Sequence, residues 1–119
     1  MLLRAGEFSG AYYLAGYSLE CALKACIAKG VAQHTFPDKK LANDVWIHDL
    51  ARLTALANLE RERLLHSQMD AVFDHHWDLA TRWSEKSRYS IYSQQDCRNF
   101  VHAIADRQHG VMAWVRRYW

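Results

Sequence analysis

Four polar or aromatic residues, Tyr13, Tyr17, Glu20 and Lys24, form a stripe in a segment that is otherwise apolar or small: GAYYLAGYSLECALKACIAK, residues 10–29. On a helix they fall within an arc of roughly 60°. Side chains of these types suit a phosphorylated ligand or a nucleic acid. An ammonium holds phosphate as a point charge, a phenol ring stacks on a base, and a carboxylate orients a hydroxyl or an arginine. The same spacing also makes a plain helical ion pair. Glu20 stands four residues before Lys24, the favourable order, worth about 0.2–0.5 kcal/mol. With apolar faces on both sides the pair should be partly buried, as a polar network that fixes helix register or as part of a ligand site.

Other groups of chemical interest are scattered. Arg98 and His102 stand four apart on one helix face, which His109 and Arg116 continue within roughly 40°. Such a stripe could follow a phosphate backbone or simply be solvated. Asp74-His75-His76-Trp77-Asp78 is dense in metal-ligand types, yet on a helix His75 and His76 point about 100° apart. A zinc helix presents histidines four apart, and no cysteine pair accompanies these, so no metal site is expected. The glycines are isolated and offer no phosphate-cradling loop. Neither a serine nor a cysteine stands in a recognisable nucleophile arrangement, and no cofactor is called for.

These residues need helices to hold them. In the first segment Tyr12, Gly16, Leu19, Leu23, Cys26 and Ile27 gather on one side, with Leu14, Ser18, Cys21, Ala25 and Ala28 nearly opposite. A surface helix has one apolar stripe, whereas two faces ask for partners on both sides. This helix is expected from about Arg4 to Lys29, stopped by Gly30. Residues 30–43, which hold the only proline, Pro37, read as a loop. A second helix starts near Asn43 or Asp44 and carries Trp46, Ile47, Leu50, Leu53, Leu56 and Ala57. A third runs from about Leu59 to Trp83, with Leu64, Leu65, Ala71, Val72, Leu79 and Trp83 inward. Residues 84–91 are irregular. Ser93 then caps a last helix that turns Cys97, Phe100, Val101, Ile104, Val111, Val115 and Tyr118 to the core. Nothing alternates as a strand does. The fold class is all-α: a single domain over residues 1–119, built as an up-down bundle of four to five helices.

Composition agrees. Of 119 residues 50% are hydrophobic and 24% charged, a globular balance. Charges interrupt every apolar run before the ~20 residues of a membrane span, and no secretory leader opens the chain. Cys21 and Cys26 point about 140° apart on one helix, so with Cys97 they read as buried thiols of a cytoplasmic protein. The net charge is only +2 but uneven: residues 1–81 hold eight Lys/Arg against ten Asp/Glu, and residues 82–119 hold seven against three. A basic C-terminal third is compatible with an anionic ligand. Trp114, Tyr118 and Trp119 read as core and dimer packing.

The segment GAYYLAGYSLECALKA, followed by His48-Asp49-Leu50 and then by Arg88-Tyr89, resembles the HEPN family of small helical nucleotide- and RNA-associated domains, in its bacterial stand-alone branch. The first helix is the specific part, and the likeness extends more loosely over the chain. The resemblance implies a homodimer that binds nucleotide or RNA. It also implies a minimal nucleotidyltransferase as partner protein in a toxin–antitoxin or defence pair. Carried onto this chain, the binding residues are Tyr17, Glu20, Lys24, His48, Arg88 and Tyr89, with Lys24, Glu20, His48 and Arg88 meeting in one polar depression. His48-Asp49 also has a plainer reading, a packed histidine beside an aspartate serving the helix dipole, and Arg88 could equally anchor Glu20. Similar sequences usually carry a further helical stretch upstream. Only nine residues precede Gly10 here, which leaves a shortened first helix or a start farther back.

Members of the family that cut RNA carry an arginine, usually a polar residue, and a histidine after four to six intervening positions. The implied mechanism uses no metal: the histidine is the base toward the ribose 2′-hydroxyl and the arginine stabilises the phosphate. Arg98-Asn99-Phe100-Val101-His102 lies in the expected region but has a gap one residue short. Arg61-Glu62-Arg63-Leu64-Leu65-His66 has the gap but lies elsewhere. A misplacement of about an ångström costs on the order of 100-fold in rate. The expectation is therefore a binding module without catalysis. Its rivals are an endoribonuclease using Arg98 and His102, and a purely structural partner subunit.

Overall fold

The computed structural model describes residues 8–34, 48–84 and 92–119. Among these residues there are six helices and no strand: α1 (Phe8–His34), α2 (Leu50–Leu56), α3 (Glu60–Met69), α4 (Ala71–Ala80), α5 (Gln94–Ala105) and α6 (Val111–Val115). The all-α class is as the periodicity implies. No described helix is long and apolar enough to cross a membrane.

The first helix packs its Tyr12–Ile27 face against α5, α2 and α6, and α4 closes the other side of the core against α5 and α6. Leu19, Leu23, Leu53, Phe73, Val111 and Val115 are wholly enclosed, with the Trp114 indole between Phe73, Trp77 and Tyr118. At the N-terminal end Tyr12 lies between Tyr92 and Phe100, ring centroids 3.9 and 4.1 Å away. Burial there, reinforced by Tyr92, pushes its phenol up to about 12. Gly16 is required because the Trp83 indole rests directly on its backbone, where any Cβ would collide with the ring.

Several boundaries differ from the sequence expectation. The first helix continues through Gly30 to His34, since a glycine stops a helix only when it takes the left-handed conformation, and Gly30 does not. The second helix begins at Leu50, preceded by the non-helical His48 and by Asp49 in extended backbone; Asp49 is the cap, accepting from the Arg52 N–H at 3.0 Å. Asn43, Asp44, Trp46 and Ile47 lie outside the described residues.

The expected third helix is two. Asp70 adopts an extended φ of −140° and accepts from the N–H groups of Val72 and Phe73, both at 3.0 Å, so it ends one helix and caps the next. That break resets the helical phase. Leu64, Leu65, Ala71 and Val72, expected inward, are exposed, while Phe73, His76, Trp77, Ala80 and Trp83 are buried. The last helix likewise breaks between Asp106 and Gly110. Ser93 caps α5 as expected, but His109 sits in the turn and Arg116 beyond α6, so no single stripe joins them to Arg98 and His102.

The second face of α1 has no partner among the described residues: Leu14, Ser18, Cys21, Ala25 and Ala28 are all exposed. Cys21 therefore departs from the buried-thiol expectation, which Cys26 and Cys97 meet.

Candidate functional site

Among the described residues Glu20 is the most deeply enclosed carboxylate, its side chain 2% exposed. It lies midway along α1, where the polar stripe passes between the core face and the outer face. Its Oε2 lies 3.3 Å from Lys24 Nζ, and its Oε1 accepts from His48 Nδ1 at 2.7 Å. Lys24 comes from one turn farther along the same helix, and His48 from the segment that the Asp49 cap fixes ahead of α2. The partners are 27% and 36% exposed, so the cluster has a buried anion at its base and two nitrogen donors at its rim. A buried carboxylate needs such partners. Lys24 brings an ammonium to this rim, which suits a phosphate oxygen.

The other expected binding residues are placed as follows. Tyr17 is exposed one turn before Cys21, and the neighbouring thiol pushes its phenol up. Its ring stacks 6.0 Å from Tyr13, which in turn leans on Trp83. Arg88 and Tyr89 lie outside the described residues. Two surface depressions, of about 290 and 740 Å³, lie elsewhere. The smaller runs past Tyr12, Arg82, Asp96 and Asn99, and the larger past Ser18, Asp106, Arg107 and Arg116. Glu20, Lys24 and His48 line neither.

Arg98 and His102 are both exposed on α5. His102 is not merely solvated, because its ring stands edge-on to the buried His76 ring, centroids 5.4 Å apart. His76 and His102, with Asp106, bring potential metal-ligand atoms within 4.8 Å of one another. His75 points outward, so the Asp74–Asp78 run does not act as one cluster. In the alternative arginine–histidine match, Arg61 faces solvent while His66 packs edge-on against Phe73 at 4.4 Å. Burial, then the nearby Arg117, pushes the His66 imidazole down. Arg63 lies 5.2 Å over the Trp77 ring and pairs with Glu60.

A further histidine stands out only in three dimensions. His109 Nδ1 donates to Asp70 Oδ2 at 2.6 Å, which raises the imidazole above its ordinary value and lowers the carboxyl. The same residue's carbonyl accepts from His76 Nδ1 at 2.9 Å. Asp70 caps the helix that carries His76, but His109 stands 39 positions after Asp70, and no local spacing joins it to them. The one hint in the sequence is that His102 and Asp106 stand four apart. No protein-family model matches the chain, and neither a curated protein nor a solved structure matches it.

Proposed function

We propose that this chain is a HEPN-like helical module that binds nucleotide or RNA through phosphate contacts at Lys24 and His48. It acts as a homodimer beside a minimal nucleotidyltransferase partner, in a toxin–antitoxin or defence-type pair. The observation that carries this reading is the enclosed Glu20 carboxylate with Lys24 and His48 on its two oxygens. All three residues belong to the segments that carry the resemblance. Glu20 holds the Lys24 ammonium and the His48 ring in place, Lys24 and His48 meet the phosphate, and Tyr17 on the adjoining exposed turn offers a ring to a base. Arg88 and Tyr89 complete the binding set in this reading.

Fluorescence anisotropy with a labelled nucleotide and a short single-stranded RNA tests it. Lys24→Ala and His48→Ala should each weaken binding, and Lys29→Ala, which removes an exposed lysine on the same helix, should leave it unchanged. Equal weakening by all three variants would reduce the attraction to general charge. The isolated chain is expected to cut no RNA in the presence of chelator, since Arg98 and His102 stand a single helical turn apart. Metal-free cleavage abolished by His102→Ala would instead establish the endoribonuclease reading.

A further inference from the structure

We propose that His76, His102 and Asp106 form a binding site for a first-row divalent metal ion of the zinc type. The three residues come from α4, α5 and the turn after α5, and their ligand atoms lie within 4.8 Å of one another. Around a tetrahedral ion with bonds of about 2.0–2.1 Å, ligand atoms stand about 3.3 Å apart. Side-chain rotation at His102, which is exposed, and at Asp106, which is half-buried, can narrow that difference.

His76 is the fixed member. The residue is 6% exposed, and its Nδ1–H donates to the His109 carbonyl. That bond selects the tautomer whose Nε2 carries the lone pair, the arrangement by which an outer-shell carbonyl orients a metal-ligating imidazole. His102 and Asp106 stand four apart, which puts both on the same side of the helix end.

The turn joining these parts is held at several points. Gly110 N–H bonds to the Asp106 carbonyl at 3.0 Å, and a side chain at Gly110 would collide with the Asp106 backbone. Asp106 Oδ1 accepts from the Gln108 N–H at 3.3 Å. The His109 ring is tied to Asp70 at the junction of α3 and α4. One five-residue turn thus supplies the carboxylate ligand and the carbonyl that orients His76. Two imidazoles and one carboxylate form a borderline donor set that prefers zinc-like ions to calcium or magnesium, whose sites are built from oxygen. Three protein ligands leave a fourth position for water.

Tag-free full-length chain, stripped with chelator and dialysed, is titrated with Zn²⁺ by calorimetry and with Co²⁺ while the visible d–d bands are followed. The expected result is one equivalent bound, with tetrahedral-type Co²⁺ bands. His102→Ala and Asp106→Asn, both at positions outside the core, should each weaken binding more than about tenfold. His75→Ala, an exposed histidine beside the site, should change nothing. Circular dichroism checks that the variants stay folded. Absence of stoichiometric binding, binding kept in both site variants, or equal loss in His75→Ala would each overturn the proposal.

Discussion

The weight of each polar side chain follows from how much water it has given up. Glu20 is enclosed while Lys24 and His48 reach solvent, so removing the carboxylate and removing one cation are unequal changes. Glu20→Ala deletes an enclosed group and both its contacts. The Lys24 ammonium already reaches solvent, so the cost should be about 2 kcal/mol, below that of stranding a buried charge. Lys24→Ala should cost under about 1 kcal/mol. Denaturant unfolding of the two variants measures the difference. The His109–Asp70 pair makes a pH prediction. The raised His109 contributes stability that is complete below its unfolded value of 6.5 and is lost as pH rises through its higher folded value. The lowered Asp70 contributes stability present above its unfolded value of 3.8 and lost as pH falls through its lower folded value. Their joint window is therefore about 3.8–6.5. His66, pushed down by burial, acts with the opposite sign: it disfavours the fold at low pH, and that penalty is relieved as pH rises from its lowered folded value to 6.5. In chelator, the melting temperature of the wild type should fall relative to that of His109→Ala as pH rises above 6.5, where the raised imidazole loses its proton. A constant offset would contradict the pairing. The Glu20–Lys24 contact was legible as an i to i+4 pair, and His48 entered only by resemblance. The meeting of His76 with His102 was not legible, because it depends on how two helices cross.

Helix identity was legible from the apolar periodicity, but helix ends were not. An aspartate inside a periodic run is read by pattern as a solvated helical residue. At Asp70 its carboxylate instead satisfies two backbone donors and the run divides, which turns Leu64, Leu65 and Val72 outward. Gly30 failed in the opposite direction, since a glycine permits a stop without imposing one. The C-terminus of α2 shows what a stop requires. Asn58 takes φ 60°, its N–H bonds to the Ala55 carbonyl, and the Leu59 N–H bonds to the Thr54 carbonyl, each at 3.0 Å. This is the Schellman arrangement, closed by the buried Leu59. Asn58→Ala should cost about 1 kcal/mol, because alanine has no side-chain compensation in the left-handed region. Asn58→Gly should be neutral or slightly stabilising. Gly16→Ala should cost about 1–3 kcal/mol by displacing the Trp83 indole. Thermal melts of the three variants test these values, and a neutral Gly16→Ala would mean that Trp83 relocates freely.

At the scale of the whole molecule, the two-faced character of α1 accounts for both the fold and the expected assembly. One face forms the centre of the core, and the other, from Leu14 to Ala28, lies open with small residues that allow close approach of a second helix. A symmetric homodimer through this face should sediment as a dimer at micromolar concentration, and Cys21→Arg should convert it to a monomer without unfolding it. A wild-type monomer would remove this part of the account. The sequence showed that α1 has two apolar faces, but which one the chain itself covers depends on where the distant α5 and α6 return, and no local pattern contains that. Phosphate contact at Lys24 is tested by the salt dependence of binding to a short single-stranded RNA. Each neutralised phosphate contributes roughly −0.7 to the slope of log K against log salt for a single strand. The account predicts that Lys24→Ala makes the slope shallower by roughly that amount and weakens binding at every salt concentration. A Lys24→Ala slope and affinity indistinguishable from those of the wild type would contradict it.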